Sequence, residues 1–213
     1  MPDDLSPPAP RALLHLRDIA LRGYQRADGL FDIEAHLVDT KTYGFANEDR
    51  GGRIEAGEPL HEMKLRITVD EAMTIVACEA VTLHGPYRIC PEITPNFARL
   101  EGLRIGAGFV KAARERVGGV HGCTHLVELL QQIGTTAFQT LSPIRARRAQ
   151  ERAAAGQAVP ARPPALLNTC HAYASDGPVV GKRWPQFYTG PKAEAEAQAS
   201  GAAARECSPG SAK

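Results

Sequence analysis

Hydrophobic and polar positions alternate with period two from Leu13 to Val38. In LFDIEAHLVD, Phe31, Ile33, Ala35 and Leu37 share one face, while Asp32, Glu34 and His36 share the other. That pattern predicts a half-buried strand with a wet side. LHLRDIALRGYQR precedes it as a hairpin partner across the turn Ala27-Asp28-Gly29, because Asp-Gly readily takes positive φ. Residues 44–58, rich in Gly, Asp, Asn and Glu, read as a loop. EMKLRITV then turns Met63, Leu65, Ile67 and Val69 inward, and TIVACEAVTL follows after Asp70-Glu71-Ala72, completing an antiparallel meander.

The period changes after His84-Gly85-Pro86. Asn96 is expected to cap a short helix over FARLEG, and Arg104 to Val117 to form a longer one closed by Gly118-Gly119. Leu126, Leu129, Leu130, Ile133 and Ala137 recur at three- and four-residue steps, so the next helix has one apolar face. Ser142-Pro143 is expected to end it. The predicted fold class is α+β, an antiparallel meander packed against C-terminal helices. Residues 1–11 read as a loose leader and 12–143 as the core domain. Residues 144–165 read as a helix extension and Pro/Ala linker, 166–190 as a segment folding back onto the core, and 191–213 as a disordered tail.

Charge and composition narrow the function classes. The 213 residues carry 25 basic and 24 acidic side chains, a net charge of +1 with signs interspersed. Such a chain has no electrostatic footprint for nucleic acid or an anionic membrane. No run of about 18 apolar residues could form a membrane helix. The acidic, Pro-rich start lacks the pattern of a secretory signal, so a cytoplasmic location is expected. Five scattered cysteines then read as thiols. Cys78, mid-strand, is read as core, Cys207 is given no role, and His36 is read as a solvated residue. Phosphate-loop, dinucleotide and nucleophile-elbow motifs are absent, as is any C-x-x-C pair.

The candidate chemistry lies at the ends of elements. Gly122-Cys123-Thr124-His125 opens the strongest helix, where unpaired N–H groups and the helix dipole favour a thiolate. His61-Glu62 opens one strand, and His84 and Cys90 flank the turn leaving another. Strand ends and helix starts commonly meet at one rim of such a domain. The expected ligands are therefore His61, Cys123, His125 and Cys90 on one divalent zinc or iron ion. Cys123 and Glu62 are the catalytic candidates, Glu62 as general base on metal-bound water or as a ligand-orienting carboxylate. Tyr87, Cys170, His171, Tyr173 and Trp184 are the expected walls of a substrate pocket. The bland alternative is a buried thiol and a histidine satisfied by a backbone carbonyl.

RGYQRADGLFDIEAHLVDTK, GEPLHEMKLRITVD, GVHGCTHLVELL and the downstream NTCHAYASDGPVV together resemble the bacterial family catalogued as domain of unknown function 2889. That family's name implies no activity. More distantly, the layout from GEPLHEMKLRITVD to GCTHLVELLQQI is similar to the U-type iron–sulfur cluster scaffolds, and the likeness implies their fold. The scaffold's Asp falls on His61 and its first Cys on Pro59. Its second Cys falls near Pro86, with Cys90 four residues on. Its last Cys falls on Cys123, its preceding His on Gly122, and His125 lies two beyond. Two of the three cluster cysteines are thus missing at their positions. The likeness favours a metal site over cluster assembly. The leading expectation is a small-molecule enzyme with a mononuclear metal, acting on an aromatic or acyl compound. A sulfur or iron–sulfur carrier and a metal-free cysteine enzyme stand as alternatives. A homo-oligomer is left open.

Overall fold

The structure, a computed structural model, describes residues 5–157 and 163–191. Part of the expected leader, part of the linker, and the expected tail from residue 192 on, including Cys207, lie outside the described residues. The chain divides into two units, 1–156 and 157–213, and each is described by itself.

The first unit contains the predicted meander. Strands β1 (His15–Gln25), β2 (Phe31–Lys41), β5 (Pro59–Val69) and β6 (Ile75–His84) form one antiparallel sheet in the order β1-β2-β5-β6. The β1–β2 turn is closed by Arg26 N–H donating to the Leu30 carbonyl at 2.9 Å, with Gly29 at φ 87°. No Cβ penalty applies to glycine there. Along β2 the alternation is complete: Phe31, Ile33, Ala35, Leu37 and also Asp39 are buried, and the residues between them are half-buried.

Residues 44–58 hold more order than a loop. Strands β3 (Phe45–Asn47) and β4 (Gly52–Ile54) pair around a 3₁₀ turn that Asn47 caps, its Oδ1 accepting from Arg50 N–H at 3.0 Å.

Helices α1 (Phe109–Val117) and α2 (Thr124–Ala154) cover one sheet face. Leu126, Leu129, Leu130, Ile133, Ala137 and Leu141 of α2 are fully buried in a single core with the inward residues of β2 and β5. Burying each such side chain contributes about 1.5–3 kcal/mol. The expected FARLEG helix is instead the end of a 3₁₀ stretch, Cys90–Leu100. Pro91 and Pro95 lack the N–H groups an α-helix there would use. The expected helix from Arg104 starts only at Phe109, because Gly108 takes φ 81° and Arg104 bridges to Thr74. In contrast, α2 runs through Pro143 to Ala154. Strong helix formers follow the proline, and Arg148 pairs with Glu71 on the β5–β6 turn.

In the second unit, α3 (Pro178–Arg183) buries Val180, and Tyr173 lies 5.3 Å from Trp184 between ring centroids.

Candidate metal centre

Three neighbouring strands place one residue each in a row: Arg17 pairs with Asp39, and Asp39 pairs with His61. All three point to the face that the helices cover, because they continue the inward phase of their strands. A bulge follows at once: Asp39 pairs with His61 but Thr40 with Pro59, so Leu60 is the extra residue. Bulges bend a strand and re-aim its side chains. The fourth contributor comes from above. Cys123 is the residue before α2 and has extended backbone, and its carbonyl accepts from Val127 N–H at 2.9 Å. His125 in the first turn is thereby set over the sheet. Gly122 is required for this entry, since a Cβ there would overlap the Val117 carbonyl.

Asp39 is the hub. Its carboxylate is fully buried and accepts four hydrogen bonds. Arg17 donates through Nε to Oδ1 at 2.7 Å and through Nη2 to Oδ2 at 2.8 Å. His15 Nε2 lies 3.1 Å from Oδ1, and His61 Nδ1 lies 3.0 Å from Oδ2. An ionised carboxylate only accepts, so both imidazole nitrogens facing it are the protonated ones. That leaves His61 Nε2 with a free lone pair. His125 Nε2 is 4.0 Å from Asp39 Oδ2, and the His61 and His125 rings lie 3.8 Å apart at 34°. The Cys123 thiol touches Met63 Sδ at 3.7 Å and His125 Nδ1 at 3.9 Å. Arg17 is tied on its outer side to Glu128 at 2.7 Å.

Burial alone would raise the Asp39 carboxyl. The hydrogen bonds and charge of Arg17, helped by His61, outweigh it and hold the carboxyl below its ordinary value. Burial, followed by the neighbouring His125, pushes His61 down. Burial, followed by the Arg17 charge, pushes His125 down. Both imidazoles are therefore neutral at pH 7, the form that binds metals. Among the described residues, Asp39, His61 and His125 are the one group whose ligand atoms all lie within 4.8 Å of one another.

His61, His125 and Cys123 thus do come together, with Cys123 beside the three ligand atoms and outside their group. Of the other candidates in the first unit, Glu62, Cys90 and Tyr87 do not join them. Glu62 points to the opposite sheet face, as the neighbour of an inward residue must. There it sits between His36 Nε2 at 3.0 Å and His84 Nδ1 at 2.9 Å. Burial would raise its carboxyl, but these two histidines hold it below the ordinary value. His36 is therefore a partner of Glu62 and not a free surface residue. Cys90 lies against Gly85, and Tyr87 is 62% exposed, too open to wall a pocket. Cys170, His171, Tyr173 and Trp184 belong to the second unit, where Cys170 is exposed. Cys78 packs on the core as read, and burial pushes its thiol up to about 12.

The residue that pattern reading missed is Asp39. Its signal was present: one further step of the Phe31-Ile33-Ala35-Leu37 alternation puts a carboxylate in an apolar phase. Arg17 and His15 occupy the same phase of the less regular β1, and only the strand register exposes their role.

The fold and the cluster define an α+β domain: a four-stranded meander under two helices, with a buried carboxylate and imidazoles at one end of the sheet. The family model described as "Protein of unknown function (DUF2889)" matches residues 15–139, and the chain belongs to that family. That span runs from the first residue of β1 into α2 and includes every residue of the Asp39 cluster. No curated protein and no solved structure is found to match the chain. The likeness to cluster scaffolds therefore rests on the sequence layout alone.

Proposed function

We propose that Asp39, His61 and His125 hold one divalent ion, zinc or iron(II), and that the protein is a small-molecule enzyme built around it. The observation that carries this reading is the set of three ligand atoms within 4.8 Å: one from a fully buried carboxylate, two from imidazoles kept neutral by burial. Two nitrogens and one oxygen suit zinc, and they match the two-histidine, one-carboxylate face of non-haem iron sites. The donor set fits the ion with one exchange. Asp39 Oδ2 gives up its contact with His61, whose free Nε2 would turn to the ion, and keeps Arg17 Nη2, while Oδ1 stays on Arg17 Nε and His15. A bound ion would activate water or polarise a carbonyl oxygen. Arg17, itself pinned by Glu128, keeps the carboxylate oriented. Beside the cluster, a groove of about 340 Å³ lined by Arg114, Cys123, Val127 and Glu128 offers a small molecule an approach. Glu62 is left out of the chemistry, because it lies behind the sheet.

Elemental analysis of protein purified without chelator tests this. One zinc or iron per chain is expected, lost in Asp39→Asn and His125→Ala. Metal-free protein whose melting temperature ignores added zinc and iron(II) overturns it, since an ion bound only to the native state must stabilise it.

A second reading has one observation in its favour: thiol, imidazole and carboxylate stand in line, with Cys123 3.9 Å from His125 and His125 4.0 Å from Asp39. That order suits a cysteine nucleophile with a histidine base. Alkylation of Cys123 abolishing a chelator-insensitive activity would select it. Visible absorption or a trapped persulfide on Cys123 would instead select sulfur carriage.

A further inference from the structure

Among the described residues both end strands, β1 and β6, lack a strand on their outer side, but β6 bonds there through Ile75 to Gly102 and Leu103, which leaves the outer edge of β1 the more open. β1 is 11 residues long, contains no proline and runs without a bulge. Edge strands are normally guarded against pairing by those devices. Its hydrogen-bonding phase follows from two bonds. Arg26 N–H donates to the Leu30 carbonyl and Thr42 N–H to the Leu14 carbonyl, and the register between them is unbroken. Even-numbered residues of β1 therefore bond to β2, and odd-numbered residues turn their N–H and C=O groups outward.

The side chains on this edge are complementary to themselves. About Ala20 the strand reads as an inverted repeat: Ile19 mirrors Leu21, Asp18 mirrors Arg22, and Leu16 mirrors Tyr24. Asp18 and Arg22 are exposed and have no ion-pair partner among the described residues, although neighbouring charges are paired. Leu16 and Tyr24 are 38% and 44% exposed.

We infer that β1 pairs antiparallel with β1 of a second copy of this chain, on a two-fold axis through Ala20, and joins two sheets into one of eight strands. In that register Ile19 faces Leu21 of the second copy as a hydrogen-bonded pair, which the outward phase of odd residues allows. Asp18 meets Arg22 of the second copy in a non-hydrogen-bonded pair, where strands bring Cα atoms to about 4.5 Å and side chains closest. Alanine at the axis leaves room for its own copy. The interface is isologous, so each favourable pair occurs twice.

Sedimentation equilibrium and light scattering on the full chain test the pairing. The wild type is expected to be a dimer. Asp18→Arg and Arg22→Asp each set like charges opposite one another twice, and each is expected to weaken association about tenfold or more. The double variant Asp18→Arg/Arg22→Asp restores opposite charges and is expected to recover the dimer. Mixing the two single variants is expected to give the heterodimer. Both positions are exposed, so at concentrations where all forms are monomeric the variants should melt like the wild type. In Ala20→Cys, mild oxidation is expected to join the two copies at position 20, as mapped by peptide mass spectrometry. A wild-type monomer at every concentration, a dimer indifferent to both single reversals, or a dimer without the position-20 cross-link overturns the inference.

Discussion

Replacing Asp39 by Asn removes one charge and changes no volume, so it isolates the electrostatic role of the hub. In the native site the carboxylate accepts four hydrogen bonds at 2.7 to 3.1 Å, two of them from Arg17. The amide keeps one acceptor oxygen. In either orientation its NH₂ group faces one Arg17 N–H and one imidazole, donor against donor. At least one charge-assisted bond is lost, at about 1.5–3 kcal/mol, and a guanidinium is left without its counter-charge. Removing one partner of a fully buried ion pair costs about 3–5 kcal/mol. Arg17 is 34% exposed and retains Glu128, which lowers the expected loss to about 2–3 kcal/mol. For a chain of this size that is a fall in melting temperature of roughly 4–12 °C. Urea unfolding followed by circular dichroism reads it directly. The cycle with Arg17→Gln gives a second check: the double variant should lose less than the sum of the singles, since neither charge is then stranded. A loss below about 0.5 kcal/mol, the scale of an ordinary surface change, would refute the assignment of Asp39 as a buried charge hub.

Acid should weaken the fold earlier than carboxylate chemistry alone predicts. His61 and His125 are held below their ordinary value of 6.5 in the native state, so the unfolded chain binds the extra protons. Stability is therefore complete above about pH 6.5 and falls as pH drops below it, by up to about 1.4 kcal/mol per pH unit for each histidine. The lowered Asp39 carboxyl adds a loss of the same sign near and below about pH 4. Urea midpoints between about pH 5 and 7 should slope in the wild type and flatten in His61→Gln/His125→Gln; a flat wild-type profile contradicts neutral, buried imidazoles. Gly122→Ala should cost about 1–3 kcal/mol, because the new methyl meets the Val117 backbone, and a variant that melts like the wild type contradicts the tight entry into α2. Glu62→Gln should leave metal content intact while lowering stability by about 1 kcal/mol; loss of the metal would mean that Glu62 reaches the helix-covered face after all.

What the sequence determined by itself is everything with a short repeat. Period-two runs over β2 and β5, the Asp28-Gly29 turn and the apolar stripe of α2 were all legible, because each buries a face that the local pattern already marks, whereas β6 was legible only as a strand, since Val76, Val81 and Leu83 are exposed. The neighbourhood of His61, Cys123 and His125 was legible in outline, since strand ends and helix starts share a rim. Tertiary structure decided the rest. Whether Asp39, His15 and Arg17 meet depends on the β1–β2–β5 register and the bulge at Leu60, which no local period encodes. The same parity that turns His61 inward sends Glu62 to the other face, so two adjacent residues with equal chemical promise were separated by the pleat alone. Likewise α2 outran its proline because helix formers and a long-range pair to Glu71 outweigh one missing N–H. Local propensity chooses elements; only packing over a common core chooses which side chains face one another, because burial of a charge is tolerated only where its partners arrive from other strands.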